Sequence, residues 1–333
     1  MDVLSDVLLA VRLSGALFYD VNARSPFVAQ SPATELIAER VMGEVGHVIA
    51  FHVVTEGACW TEPVDTPGSP VRIGAGEMVI FPGGNANIMA SDPGMRGTPD
   101  WDAYYRTLDE PLPLSIAVNE GAEAGAERCR FVCGYLVCDT RPFNPLLAAL
   151  PTMVSAPVSA ESWQWVARLL DAAVEASGQD TAGRDAMLAK LAELMFVEAL
   201  RGHIATLPPD ARSWVAGLRD PQVGAALRLI HAEPERAWTL EQLAREVSMS
   251  RSAFAERFTA YVQVPPMQYL TRWRLQLAAR LLESSSVSVA QAASAVGYQS
   301  EAAFNRAFKR EVGQAPGVAA SPAHTRPARR DAT

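Results

Sequence analysis

Two copies of one short pattern near the C-terminal end constrain this chain more than anything else in it. In the first, an apolar run at helical spacing (Leu240, Leu243, Ala244, Val247) is interrupted at Ser248, Met249 and Ser250 and resumes over 251–258. In the second, Val289, Ala292, Ala293 and Val296 are interrupted by Gly297, Tyr298, Gln299 and Ser300 before the pattern resumes over 301–308. Each copy predicts a helix, a tight turn and a second helix with a polar outer face, as in a helix-turn-helix. Thr239 and Gln242 have the spacing of a capping box, and Ser250 stands where the next helix needs an N-cap. Phe254 and Phe258, and again Phe304 and Phe308, are four apart and turn to a core, not to a base. A helix over 221–231 precedes the first copy, and a long helix over 267–282, opened by Pro265 and Pro266, joins the two. Gly297 occupies a turn position that backbone geometry reserves for glycine.

The net charge of −8 argues against a nucleic-acid partner until the chain is divided. From Gln222 onward there are 14 basic and 9 acidic side chains; the rest of the chain has 15 and 28. The basic part is the one with the duplicated motif, so one domain has an electrostatic footprint for DNA and the other a different task. A length of 333 residues suits two domains, and 49% hydrophobic residues suffice to bury both cores. The first residues are acidic where a signal peptide would be basic, and no apolar run reaches the ~18 residues of a membrane span. A cytoplasmic protein without a membrane segment is expected, its four cysteines reduced.

Residues 3–11 have helical periodicity and lead into a strand over 15–21. The period then becomes alternating. Short strands are predicted over 45–54, 57–62, 71–73, 78–81, 87–90, 114–118 and 129–138, separated by Gly, Pro, Asn and Asp, which indicates an antiparallel sandwich or barrel. The stretch from Gly74 to Pro82, with His47, His52, Glu56 and Trp60, resembles the cupin barrel. That resemblance makes His47, His52, Glu56 and Trp60 candidate ligand contacts. Metal-binding cupins use a further histidine on a later strand; here 82–88 offers Asn85 and Asn87 instead, and His47 and His52, five apart, point to opposite faces. No metal and no cofactor are therefore expected, and His52 reads as an interior hydrogen-bonded histidine. Cys129 and Cys133 share a strand face while Cys138 points to the other, and none has the spacing of a zinc knuckle.

Beyond 145 the period is helical again, with a pair predicted over 162–176 and 185–203. The second is apolar around much of its circumference, which favours burial against another subunit over simple cover for the barrel. Pro208 and Pro209 mark a linker.

Tyr269, Leu270, Arg274 and Leu275, then Ala292, Val296, Gly297 and Tyr298, and finally Phe304 to Lys309 with Gly313 to Pro316 resemble the signature of the AraC/XylS family of transcriptional regulators, in its subgroup with a cupin-like N-terminal domain. The resemblance implies a two-domain α+β chain. A sensor and dimerisation domain occupies 1–203, with a cupin-like antiparallel β-barrel to about 145 and an antiparallel helix pair over about 158–203. A linker follows over 204–220, then an all-α domain with two helix-turn-helix units over 221–320 and a disordered tail over 321–333. It further implies that Ser252, Ala255 and Glu256, and Glu301, Ala302, Asn305 and Arg306, face base edges, while Arg251, Arg257, Lys309 and Arg310 face phosphates. The implied partners are double-stranded promoter DNA, a second copy of the chain, a small-molecule effector and, for an activator, RNA polymerase. The family continues from Pro316 into an aromatic residue and an arginine, where this chain has Ala319 and Ala320. Two alternatives stay open: a metal-dependent cupin enzyme with a helical appendage, and a regulator that senses oxidants through its thiols.

Overall fold

The structure is a computed structural model, and it describes residues 2–11, 13–38, 46–66, 68, 70–106, 110, 112–138, 143–175, 183–284 and 287–316. The tail over 321–333, the residues at 319 and 320 and most of the loop between the paired helices lie outside the described residues. Helix α1 (Val3–Ala10) opens the chain, N-capped by Asp2, and strands β1 (Ser14–Arg24), β2 (Val28–Ser31), β3 (His47–Glu56), β4 (Ala58–Pro63), β5 (Val71–Gly74), β6 (Glu77–Phe81) and β7 (Asn87–Ala90) follow. After α2 (Trp101–Arg106) come β8 (Leu114–Val118), β9 (Arg128–Cys138), α3 (Pro145–Ala149) and β10 (Val154–Pro157). The remainder is helical: α4 (Ala160–Glu175), α5 (Arg184–Thr206), α6 (Trp214–Gly217), α7 (Pro221–Ala232), α8 (Leu240–Glu246), α9 (Arg251–Val262), α10 (Pro266–Ser284), α11 (Val289–Ala295) and α12 (Glu301–Val312).

These elements form two compact units that are not consecutive in sequence. The first is built from two sheets, one ordered β10-β6-β3-β9-β1-β8 and the other β2-β7-β4-β5. Among the described residues the pair is not closed into one hydrogen-bonded barrel, and β1 runs parallel to β8, two departures from the expected antiparallel barrel. Alternation along the strands explains the core. Ala50 and Val54 of β3, Phe131 and Tyr135 of β9, Val79 and Phe81 of β6 and Met89 of β7 belong to one cluster of inward side chains. Their neighbours Val53, Met78, Ile80, Val132 and Leu136 point to the other face and are equally buried, because α5 lies across the larger sheet. Leu188, Leu191, Ala192, Met195, Phe196, Ala199 and Leu200 are buried on α5. Covering the sheet therefore accounts for most of that helix's apolar circumference. Met187, Leu194 and Leu169 of α4 stay exposed.

The second unit contains residues 207–316 together with 2–11 and 143–150. Helix α1 packs on α7 and α10. One buried amide joins the three stretches: Gln276 Nε2 donates to the Ala10 carbonyl at 3.0 Å, and Gln276 Oε1 accepts from Phe143 N at 2.9 Å. Ala10 is in the last turn of α1, where carbonyls lack intrahelical donors, so this bond also caps the helix. On α7, His231 stacks on Trp273 at 4.1 Å and faces Tyr269 Oη at 2.8 Å. Trp214 Nε1 donates to the same hydroxyl at 3.0 Å, which leaves the tyrosine proton for His231 Nε2 and puts the imidazole proton on Nδ1, 3.5 Å from Asp6 Oδ2.

Candidate nucleic-acid interface

The duplicated motif folds as two copies with the same caps and the same turn hydrogen bonds. Thr239 and Gln242 close a capping box at the start of α8, and Ser288 and Gln291 close the same box at the start of α11. The second box is equally visible in the sequence as Ser-x-x-Gln. Helices α8 and α11 end alike: Met249 N reaches back to the Ala244 carbonyl at 2.9 Å, and Tyr298 N to the Ala293 carbonyl at 3.0 Å. The residue before each is left-handed, Ser248 at φ +56° and Gly297 at φ +84°. Ser250 and Ser300 then cap α9 and α12 by accepting from Ala253 N and Ala303 N. At the far ends Gln263 and Gly313 both take left-handed φ. The first copy thus uses a serine and a glutamine where the second uses glycines.

Inside each copy the paired phenylalanines meet at ring distances of 5.6 Å (Phe254, Phe258) and 5.5 Å (Phe304, Phe308), and all four are fully buried. Burying that face leaves the other to solvent. On α9 Arg251, Ser252, Glu256 and Arg257 are exposed and Ala255 half-buried; on α12 Glu301, Ala302, Arg306, Lys309 and Arg310 are exposed and Asn305 half-buried. Every residue expected to face DNA is therefore on the outward side of its helix. Arg257 differs from the rest. Its Nε donates to Asp220 Oδ1 at 3.1 Å and its Nη2 to Asp220 Oδ2, while Oδ1 also accepts from Gln222 N and Val223 N to cap α7. The guanidinium that the sequence offered to a phosphate ties α9 to the start of α7. Glu301 is in the first turn of α12, where a carboxylate is stabilised by the helix dipole, a structural reason for an acid at this exposed position. Arg306, Lys309 and Arg310 are all exposed on α12, with Arg310 3.5 Å from Glu311.

In the sheet unit the four candidate ligand residues are not gathered. His52 is buried among Phe81 and Phe131, with Nε2 2.7 Å from Asn87 Oδ1 and Nδ1 2.8 Å from Cys133 Sγ. Asn87 Nδ2 donates to the Asn85 carbonyl, so Oδ1 must face the imidazole. Nε2 then carries the proton, Nδ1 accepts from the Cys133 thiol, and both nitrogens are used. Asn87 stands where a metal-binding cupin would supply its later histidine. His47 bonds to the Pro82 carbonyl, Trp60 takes the face of β4 opposite Cys59, and Glu56 lies at the exposed end of β3 beside an open cavity of about 270 Å³. Among the described residues no cluster of His, Cys, Asp or Glu has the arrangement of a metal site. None of the described helices is long and apolar enough to cross a membrane.

Burial pushes His52 down to about 4, a cost only partly offset by its bond to Asn87. Between pH 6.5 and 4 the unfolded chain therefore takes up a proton that the folded chain refuses. Stability is intact above pH 6.5 and falls by about 3 kcal/mol as pH drops to 4. Urea denaturation across that window checks this: His52→Gln should have a shallower slope than the parent chain, whose other shifted histidines, His203 and His231, act in the same direction. Equal slopes would exclude His52 as the cause.

A cupin family model matches residues 2–205, more than half of the chain, and a helix-turn-helix domain model matches 243–320. A protein of Streptomyces lividans described as an AraC-like transcription regulator is 32% identical over 325 residues, covering 95% of this chain and 97% of its own length. This chain belongs to the AraC family. The transcriptional regulator AlkR of Acinetobacter baylyi is 40% identical over 250 residues, 73% of this chain and 78% of AlkR. As an AraC-family transcriptional regulator, the chain has its DNA-binding domain in the helical unit and a cupin-like domain before it. The cupin match runs unbroken through α1 and α3, yet the fold places both with the DNA-binding helices.

Proposed function

We propose that this regulator grips promoter DNA with α9 and α12 in successive major grooves, about 34 Å apart along one side of the duplex. The observation that carries the reading is the pair of capped, phenylalanine-anchored helices whose free faces contain Ser252, Ala255 and Glu256 on one and Glu301, Ala302, Asn305 and Arg306 on the other. Arg306 suits guanine, Asn305 adenine, and a glutamate the amino group of cytosine. Arg251, Lys309 and Arg310 fix register on phosphates. The protein works in the cytoplasm as a homodimer, and Leu169, Met187 and Leu194, exposed on α4 and α5, offer apolar surface for pairing. The cupin-like unit receives a small molecule or chemical signal and alters operator affinity; as an activator, the dimer would then engage RNA polymerase. Its task is regulation and not catalysis, a reading supported by His52, which is held at both nitrogens by Asn87 and Cys133.

Genome-wide mapping of DNA bound by the full chain, followed by titration of the recovered fragments, tests this. Discrete promoter sites are expected, with affinity falling steeply as salt rises. Uniform binding to bulk DNA, or none, would sink the proposal.

A further inference from the structure

Two thiols meet inside the sheet unit. Cys59 on β4 and Cys129 on β9 belong to different sheets, are both buried in the same core, and are hydrogen-bonded to each other. The backbones pass equally close here. A Cβ on Gly57 would fall 2.0 Å from the Arg128 carbonyl oxygen and 3.2 Å from Cys129 Cα, so nothing separates the start of one strand from the start of the other. Cys129 also lines the open cavity of about 270 Å³, together with Arg24, Glu56, Arg128 and Arg130. Cys129 therefore has a route to solvent for a small neutral molecule, past a rim of Arg24, Arg128 and Arg130 with Glu56 and Glu120. Cys133 differs: its thiol is bonded to His52, and burial holds it well above the ordinary range.

We infer that Cys59 and Cys129 form a dithiol oxidation site, in which a small two-electron oxidant of the peroxide class enters through the arginine-lined cavity and converts the pair to a disulfide between the two sheets. The hydrogen bond from Cys59 lowers Cys129 below the usual thiol value and raises Cys59, so the proton stays on Cys59 and Cys129 supplies the thiolate. Cys129 S⁻ attacks one oxygen of hydrogen peroxide and breaks the O–O bond; the departing hydroxide takes a proton to become water, and Cys129 becomes a sulfenic acid. The Cys59 sulfur then attacks that sulfur, its proton leaving with the hydroxyl group as a second water. Two thiols lose two electrons and two protons, and one peroxide becomes two waters. The chemistry stands whether or not DNA is bound.

The test treats the reduced full chain with one equivalent of hydrogen peroxide under native conditions, blocks remaining thiols and maps the digest by mass spectrometry. Two of the four cysteines should be lost together, in a peptide pair linking Cys59 to Cys129 within one chain. In Cys59→Ser, dimedone should trap a sulfenic acid at Cys129; in Cys129→Ser, Cys59 should stay unmodified over the same period. Four surviving thiols in the parent chain, a first modification at Cys133 or Cys138, or a disulfide between chains would overturn the assignment. The parent-chain map decides the question even if a variant fails to fold.

Discussion

Gly297→Val should cost more than about 3 kcal/mol and abolish DNA binding by the second helix-turn-helix. A β-branched residue at φ +84° has a left-handed penalty of about 1–2 kcal/mol before any contact is considered. The added Cβ would also fall 2.3 Å from the Glu235 carbonyl oxygen and 2.8 Å from the carbon and Cα of the same residue. That loop is pinned: Arg274 donates to the Pro234 and Arg236 carbonyls at 2.6 and 2.8 Å, and Trp238 Nε1 to the Glu233 carbonyl at 3.0 Å. Backbone held this way does not yield, so the turn must open instead. Ser248→Gly, at the equivalent turn of the first copy, should act oppositely and stabilise by about 0.5–1 kcal/mol, since glycine removes the left-handed cost. Thermal melts of the two variants beside the parent measure both; a melt for Gly297→Val that matches the parent would mean the turn tolerates a side chain.

Asn305→Ala combined with Arg306→Ala should weaken binding to the recovered operator by about 2–6 kcal/mol while the melting temperature stays unchanged. Each substitution removes a donor pattern suited to one base, worth about 1–3 kcal/mol. Stability is spared because Arg306 is exposed and Asn305 is outside the buried phenylalanine face. Arg257→Ala should show the reverse. It breaks the pair with Asp220, whose side chain is only 3% exposed and also caps α7, so loss of stability dominates. Filter binding or anisotropy at fixed salt, together with calorimetry, separates the two behaviours. Unaltered operator affinity in the double variant would show that α12 does not read sequence through these residues.

Much of the fold was legible because its signals are local. Helical period and turn residues placed α8, α9, α11 and α12, and the Thr239 and Gln242 capping box appeared where expected. Alternation placed β3, β6, β7 and β9 and put His47 and His52 on opposite faces. The absence of a later histidine was readable too, though not that Asn87 would bond to His52 in its place. Short elements with weak periodicity, β2, α2, α3 and β10, gave no usable signal. Nor did Arg257, whose charge and spacing suit a phosphate equally well; only Asp220, 37 positions away, assigns it to the fold.

The sequence by itself determined that two helices follow tight turns, which faces they bury and which residues they leave exposed, because capping, φ preference and helical period act over a few neighbouring positions. The tertiary structure alone decided that α1 and residues 143–150 join the DNA-binding helices, that β1 lies parallel to β8, and that Cys59 meets Cys129 across two sheets. Those outcomes rest on pairings such as Gln276 with Ala10, 266 positions apart, and a contact of that separation leaves no periodic trace in either partner's local sequence.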